Sequence, residues 1–320
     1  MDGTPRGESA LPPTGAAPLG PGPRLRPRAY AALAAGVFLF GFGAILVRWA
    51  NAPGAATAFF RMAIAAVVVA LPFAAHARRA ARPLRRRGVA FAALGGVSLA
   101  ADLWLWATGV VLSGATVPTL MANTAPLWVG LATAALLRRR MPPLFWLGLA
   151  VALAGAFTVL AADFARGSAV GRGTTLGLVA ALFYAGYHLA TERGRAHLST
   201  LSYVWISTAS GAVFLLLVCL VTRTPLTGYA PTTYLLFLAL AVLVQVAGWM
   251  CVTYVLGLLP AAIVSPTLLG QPVVTALLAV PLLGETFSAR QLAGGAAVLA
   301  GVLLVHRSRA ARSRTPSGWV

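Results

Sequence analysis

The chain contains no lysine. Its 320 residues include only six acids, four histidines and two cysteines. Each shortage removes a class of function. A Walker A loop needs its lysine to hold phosphates, so the sequence carries no ATP-driven motor of that kind. The acids and histidines are too dispersed for a metal site. Neither HExxH nor GxSxG occurs, which leaves no support for an enzyme. The expectation is a chain without metal or cofactor. Cys219 and Cys251 fall in apolar stretches and offer neither a disulfide framework nor metal spacing. They read as small buried residues.

What is abundant is apolar. Hydrophobic residues make up 59% of the chain and charged residues 10%, far from the composition of a soluble domain. Ten apolar stretches lie between Tyr30 and His306. A spanning helix needs about 20 such residues. The pattern predicts helices at 30–48, 53–74, 88–111, 115–137, 143–161, 174–191, 201–221, 232–256, 261–283 and 289–306. Lipid offers no partner to backbone amides, and the alternation of a barrel strand is absent, so these runs are helices. The expected fold is an all-α membrane protein of ten transmembrane helices.

The second half repeats the first. Shifted by 146 places, Ala115 falls on Ala261, Pro126 on Pro272, Gly148 on Gly294 and Gly155 on Gly301. The units are residues 29–161 and 174–306, joined by a linker at 162–173. Each holds five helices, an odd number, so the second enters the membrane upside down. Inverted repeats of this kind mark secondary transporters, with the substrate site near the midplane. Residues 1–28, rich in Pro, Gly, Ala and Arg, read as a disordered tail, and 307–320 as a basic tail. A signal-peptide reading of residues 1–50 fails because the apolar run is too long and the repeat needs that helix.

The net charge of +19 invites a nucleic-acid reading, but its distribution argues otherwise. With the N-terminus inside, 19 of the 25 arginines fall on cytoplasmic segments, including Arg78, Arg79, Arg85, Arg86, Arg87 and Arg138. Five fall outside, and Arg61 lies within a helix. This obeys the positive-inside rule and sets both termini in the cytoplasm. A secondary attraction to anionic lipid follows.

Several phrases resemble the EamA type of the drug/metabolite transporter superfamily. "GFGAILVRWANAPGAATAFFRMAIAAVV" is similar to its first two helices, with Arg61 at the usual arginine of the second. "TLMANTAPLWVGLATAALL" and "SPTLLGQPVVTALLAVPLLGE" resemble the fourth and ninth. "GLVAALFYAGYHLATERG" resembles the sixth. One departure is at Arg138-Arg139, where the family often carries the Gly-Glu that Gly284-Glu285 retains. The resemblance implies a permease that exports small metabolites such as amino acids across a bacterial-type inner membrane. The alternative is a lipid flippase or a non-transporting scaffold.

Polar groups within the bilayer are few and expensive, so they name the candidate residues. Arg61 lies about 12 Å into the second helix from outside, and Asp102 about 21 Å into the third from inside. In a core about 30 Å thick they reach similar depth, which predicts a contact, either a static pair or a gate. His188 joins them as a coupling or gating candidate, with a satisfied buried histidine as the other reading. Pro118 and Pro126 in the fourth helix, and Pro266 and Pro272 in the ninth, remove backbone bonds and predict kinks. Beside them stand Asn123, Thr124, Ser265 and Gln271 as substrate-binding or interhelical groups. Trp106, Tyr187 and Trp249 lie deep enough to wall a ligand or to pack against lipid. Gly148 and Gly155 share a face, as do Gly294 and Gly301, and serve either packing within the subunit or a homodimer contact.

Overall fold

The computed structural model describes residues 25–79, 84–113, 116–136, 138, 140–161, 172–283 and 289–312. Residues 162–171 of the expected linker, most of both tails, Arg139 and Gly284-Glu285 lie outside the described residues, while Arg172 and Gly173 open α6. The described chain is helical and forms ten runs: α1 (Leu25–Ala50), α2 (Gly54–Arg79), α3 (Arg86–Ser113), α4, α5 (Pro143–Ala161), α6 (Arg172–Arg195), α7 (Thr200–Val221), α8 (Pro231–Leu256), α9 and α10 (Ala289–Arg312). α4 is split into Thr116–Ala122 and Ala125–Ala135. α9 is split into Ala261–Thr267 and Gln271–Leu283 by a 3₁₀ turn at Leu268–Gly270. Five runs, in α1, α2, α3, α7 and α8, are long and apolar enough to cross a membrane by length and composition. α4, α5, α9 and α10 supply shorter apolar helices.

Local chemistry accounts for the ends. Ser199 caps α7, its hydroxyl accepting from the Ser202 amide at 3.2 Å. Pro231 opens α8 where no amide is needed. Asn51 and Arg223 adopt left-handed backbone just past α1 and α7, as chain leaving a helix often does.

The helix pairs betray a pseudo-two-fold. α3 packs on α6 as α8 packs on α1, and α4 meets α6 as α9 meets α1. α2 with α7, and α5 with α10, pair across the axis itself. The α5–α10 seam brings backbone against backbone along its length. A Cβ built on Gly301 would stand 2.6 Å from the Gly148 carbonyl oxygen, and one on Gly155 2.6 Å from that of Gly294. The glycine faces are therefore spent within the subunit. Backbone approach of this kind matters in lipid, where apolar burial alone does not drive helices together.

The outer surface is apolar. Val221 is 83% exposed, Leu71 81% and Val67 73%. The interior, by contrast, holds buried polar groups including Arg61, Asp102, His188, Gln245 and Thr253. A greasy exterior around a polar centre is the reverse of a soluble domain and suits a lipid surround.

Candidate functional site

The polar centre is built from five helices. Arg61 comes from α2 and Asp102 from α3, both buried. They lie near enough to interact electrostatically, but no ion pair joins them. Arg61 instead donates from Nε to Gln245 Oε1 of α8 at 2.8 Å. The contact expected from matched depth is thus an approach, and the hydrogen bond goes to a residue the charge argument passed over. Gln245 sits in a π-helical stretch, Leu240–Gly248, in the middle of α8. Such wide turns cluster at functional sites. Applied to the apolar run "LAVLVQVAG", the rule that singled out Arg61 would have found it.

Aromatic rings close one side. Tyr187 of α6 meets Trp249 of α8 edge-on at 4.6 Å, and Tyr184 meets Trp249 at 6.0 Å. Phe40 of α1 lies 4.7 Å from Trp249 on its other side. Gly248 makes room for it, since a Cβ there would stand 2.6 Å from the Phe40 ring. The His188 ring meets that of Tyr184 at 4.5 Å, tilted by 54°. Both His188 ring nitrogens and the Trp249 indole nitrogen are buried without a hydrogen-bond partner. The satisfied-histidine reading therefore does not describe His188 here. The Tyr187 hydroxyl lies 3.4 Å from Thr253 Oγ1, and Tyr184 reaches Gln271 at the head of the second half of α9.

The proline expectations meet two helix breaks at equivalent points of the repeats. Pro126 stands at the start of the second half of α4, after the turn at Asn123-Thr124. Pro272 stands at the start of the second half of α9, after the 3₁₀ turn. Pro266 lies inside the first half of α9 and Pro118 inside that of α4. The fourth-helix polar groups serve their own break. Asn123 Nδ2 donates to the Thr119 carbonyl at 2.8 Å, and Thr124 Oγ1 to that of Met121 at 2.6 Å. Trp106 donates to Thr119 Oγ1 at 3.0 Å, which ties it to α4 rather than to the rings around Trp249. Ser265 is buried with its hydroxyl unpartnered. The structure thus gathers Arg61, Asp102, Tyr187, His188, Trp249 and Gln271 around one centre. Asn123, Thr124 and Trp106 belong to the α4 break.

Beneath the centre, the end of α6 grips the α8–α9 turn. Glu192 Oε2 accepts from the Ala261 amide at 2.7 Å, capping α9. Arg195 donates from Nε to the Thr253 carbonyl at 3.1 Å and from its Nη1 to the Leu198 carbonyl. The sequence assigns Arg195 only to the cytoplasmic side and gives Glu192 no role. Their signal was a Glu and an Arg three apart at a helix end, close to a turn.

No group of three or more metal-ligating side chains occurs among the described residues. The arrangement sets a guanidinium and a carboxyl among rings and amides from both halves of the chain.

Comparison with known proteins bears on the whole chain. Residues 27–161 and 171–307 each match the model of the EamA-like transporter family. A solved structure described as the crystal structure of a protein shares the fold, with a TM-score of 0.71 at 18% identity. The match covers 88% of this chain and 99% of that one. No curated protein matches.

Proposed function

Starting from a chain that belongs to the EamA-like transporter family, within the drug/metabolite transporter superfamily, we propose that it is a secondary transporter exporting small organic metabolites such as amino acids. The observation that carries this reading is the central cluster. Arg61 supplies a buried guanidinium with the Asp102 carboxyl within electrostatic reach, and Tyr184, Tyr187 and Trp249 add ring surface. A small amphipathic molecule finds a partner there for each of its parts, whereas a bare inorganic ion needs no rings.

In this reading all ten helices cross the inner membrane, with both termini cytoplasmic as the arginines favour. The two five-helix units rock about the midplane. The breaks in α4 and α9 supply the unwound backbone of such sites. Asn123, Thr124, Trp106 and Ser265 contribute to the path along those breaks, and His188 to coupling or gating.

The test is ligand-induced thermal stabilisation of the purified protein across amino acids, nucleosides, polyamines, lipids and drugs. A ligand of the folded state raises the melting temperature by mass action. An amino-acid hit that disappears in Gln271→Ala or Trp249→Ala supports the reading. Stabilisation by lipids alone would favour a flippase, and a silent panel on folded protein a scaffold.

A further inference from the structure

We propose that Arg61 is the anion-binding residue of this centre: its Nη edge takes a carboxylate of the substrate, and Gln245 is the positioning residue that holds it for the task. The inference rests on the transport reading above and specifies what the transported molecule must carry.

The argument begins with the guanidinium's donors. Arg61 has one edge satisfied, because Nε donates to Gln245 Oε1 at 2.8 Å. No hydrogen bond or ion pair to a described residue engages Nη1 or Nη2, although the side chain is 9% exposed. Nor are these nitrogens among the fully sealed, partnerless atoms of the interior, as the Trp249 and His188 nitrogens are. They therefore keep some accessible surface that no described residue covers. A buried guanidinium without an anion is costly. The two Nη groups form a planar fork that matches a carboxylate in a bidentate pair.

The remaining surroundings fit that occupant. Of the two acids among the described residues, Glu192 is engaged in capping α9, and Asp102 makes no ion pair with Arg61. No acid among the described residues thus completes the fork, and the proposal gives that place to a substrate anion. Gln245 is buried at 1% exposure, and so is Trp249 at 4%, both inward from neighbouring turns of α8. The π-helical stretch that ends at Gly248 sets this register. Gln245 is neutral, so it orients the guanidinium without neutralising it. A glutamate in its place would have satisfied the charge and left no demand for a ligand anion.

The test uses the purified full chain and two matched probe series, each measured by equilibrium binding. One is leucine, leucinamide and 3-methylbutylamine. The other is phenylalanine, phenylalaninamide and phenethylamine. Within each series only the carboxylate is altered or removed. Wild type should bind the acid at least tenfold more tightly than the amide or the amine. Arg61→Gln should erase that preference, and Arg61→Lys, which keeps the charge but loses the fork, should reduce it. Gln245→Leu should weaken the acid more than the amide, shrinking the acid-to-amide ratio severalfold. A role in packing alone would weaken acid and amide together. Equal binding of acid and amide by wild type, or a preference that survives Arg61→Gln, overturns the assignment and leaves the transport reading standing. If neither series binds to folded protein, the amino-acid reading falls and takes this inference with it.

Discussion

The α5–α10 seam yields a prediction in which one substitution has opposite signs at two sites on one helix. Gly301 and Gly295 both lie in α10. A Cβ on Gly301 would stand 2.3 Å from the Ala152 amide nitrogen and 2.6 Å from the Gly148 carbonyl oxygen. Those atoms are α5 backbone and cannot turn aside, so the helices must part by about 1 Å to reach ordinary contact. Overpacking of this sort costs roughly 1–3 kcal/mol. Alanine returns up to about 1 kcal/mol of helix propensity over glycine. Gly301→Ala should therefore destabilise by about 1–2 kcal/mol. At Gly295 the Cβ would meet only the Val273 side chain, at 3.4 Å. Gly295→Ala keeps the propensity gain and should stabilise by about 0.5–1 kcal/mol. The gap of roughly 1.5–3 kcal/mol corresponds to several degrees in Tm. Thermal unfolding of both variants in one detergent measures it. Equal melting temperatures, or Gly295→Ala melting lower than Gly301→Ala, would refute the account of the seam.

Three further outcomes follow from single contacts. Glu192→Ala removes the acceptor for the Ala261 amide; it should cost about 1–2 kcal/mol and speed hydrogen exchange around residues 257–264, while Glu192→Gln, which keeps an oxygen there, should change exchange less. Tyr203→Phe deletes a hydroxyl that accepts from Thr191 at 3.0 Å and donates to the Phe91 carbonyl at 3.3 Å. Its Tm should fall by an amount equivalent to about 1 kcal/mol. Gly228 has φ of +88° and open space where a Cβ would stand, so Gly228→Ala should cost about 1 kcal/mol from backbone strain alone, with transport per folded molecule unchanged in vesicles.

The helices were legible because burial from water on all sides writes long apolar runs, and proline marks where they break. Pro126 and Pro272 announced both breaks, and the 146-residue repeat announced that they correspond. Arg61 and Asp102 stood out because charge in an apolar run has few reasons to exist. What the charges do was less legible. Depth along a helix says how far in a residue lies but not which way it points. Arg61 accordingly came out beside Asp102 but bonded to Gln245. The π-helical register that turns Gln245 inward leaves no trace in composition, since "LAVLVQVAG" reads equally well as an ordinary helix. Asn123 and Thr124 show the converse. Their position beside a proline was right, yet short polar side chains at a break bond the nearest backbone, and these do. The gathering of Tyr184, Tyr187 and Trp249 depends on α6 packing beside α8, a fact of tertiary structure that neither segment records alone.

The central claim is that this cluster carries a small organic molecule across the bilayer. Counterflow of radiolabelled amino acids into proteoliposomes, with wild type, Asp102→Asn and Trp249→Ala compared at equal amounts of folded protein, tests it most directly. The account predicts protein-dependent exchange of at least one amino acid, competed by its unlabelled form and strongly reduced by both substitutions. Exchange no faster than in protein-free liposomes, or exchange that neither substitution alters, would contradict it.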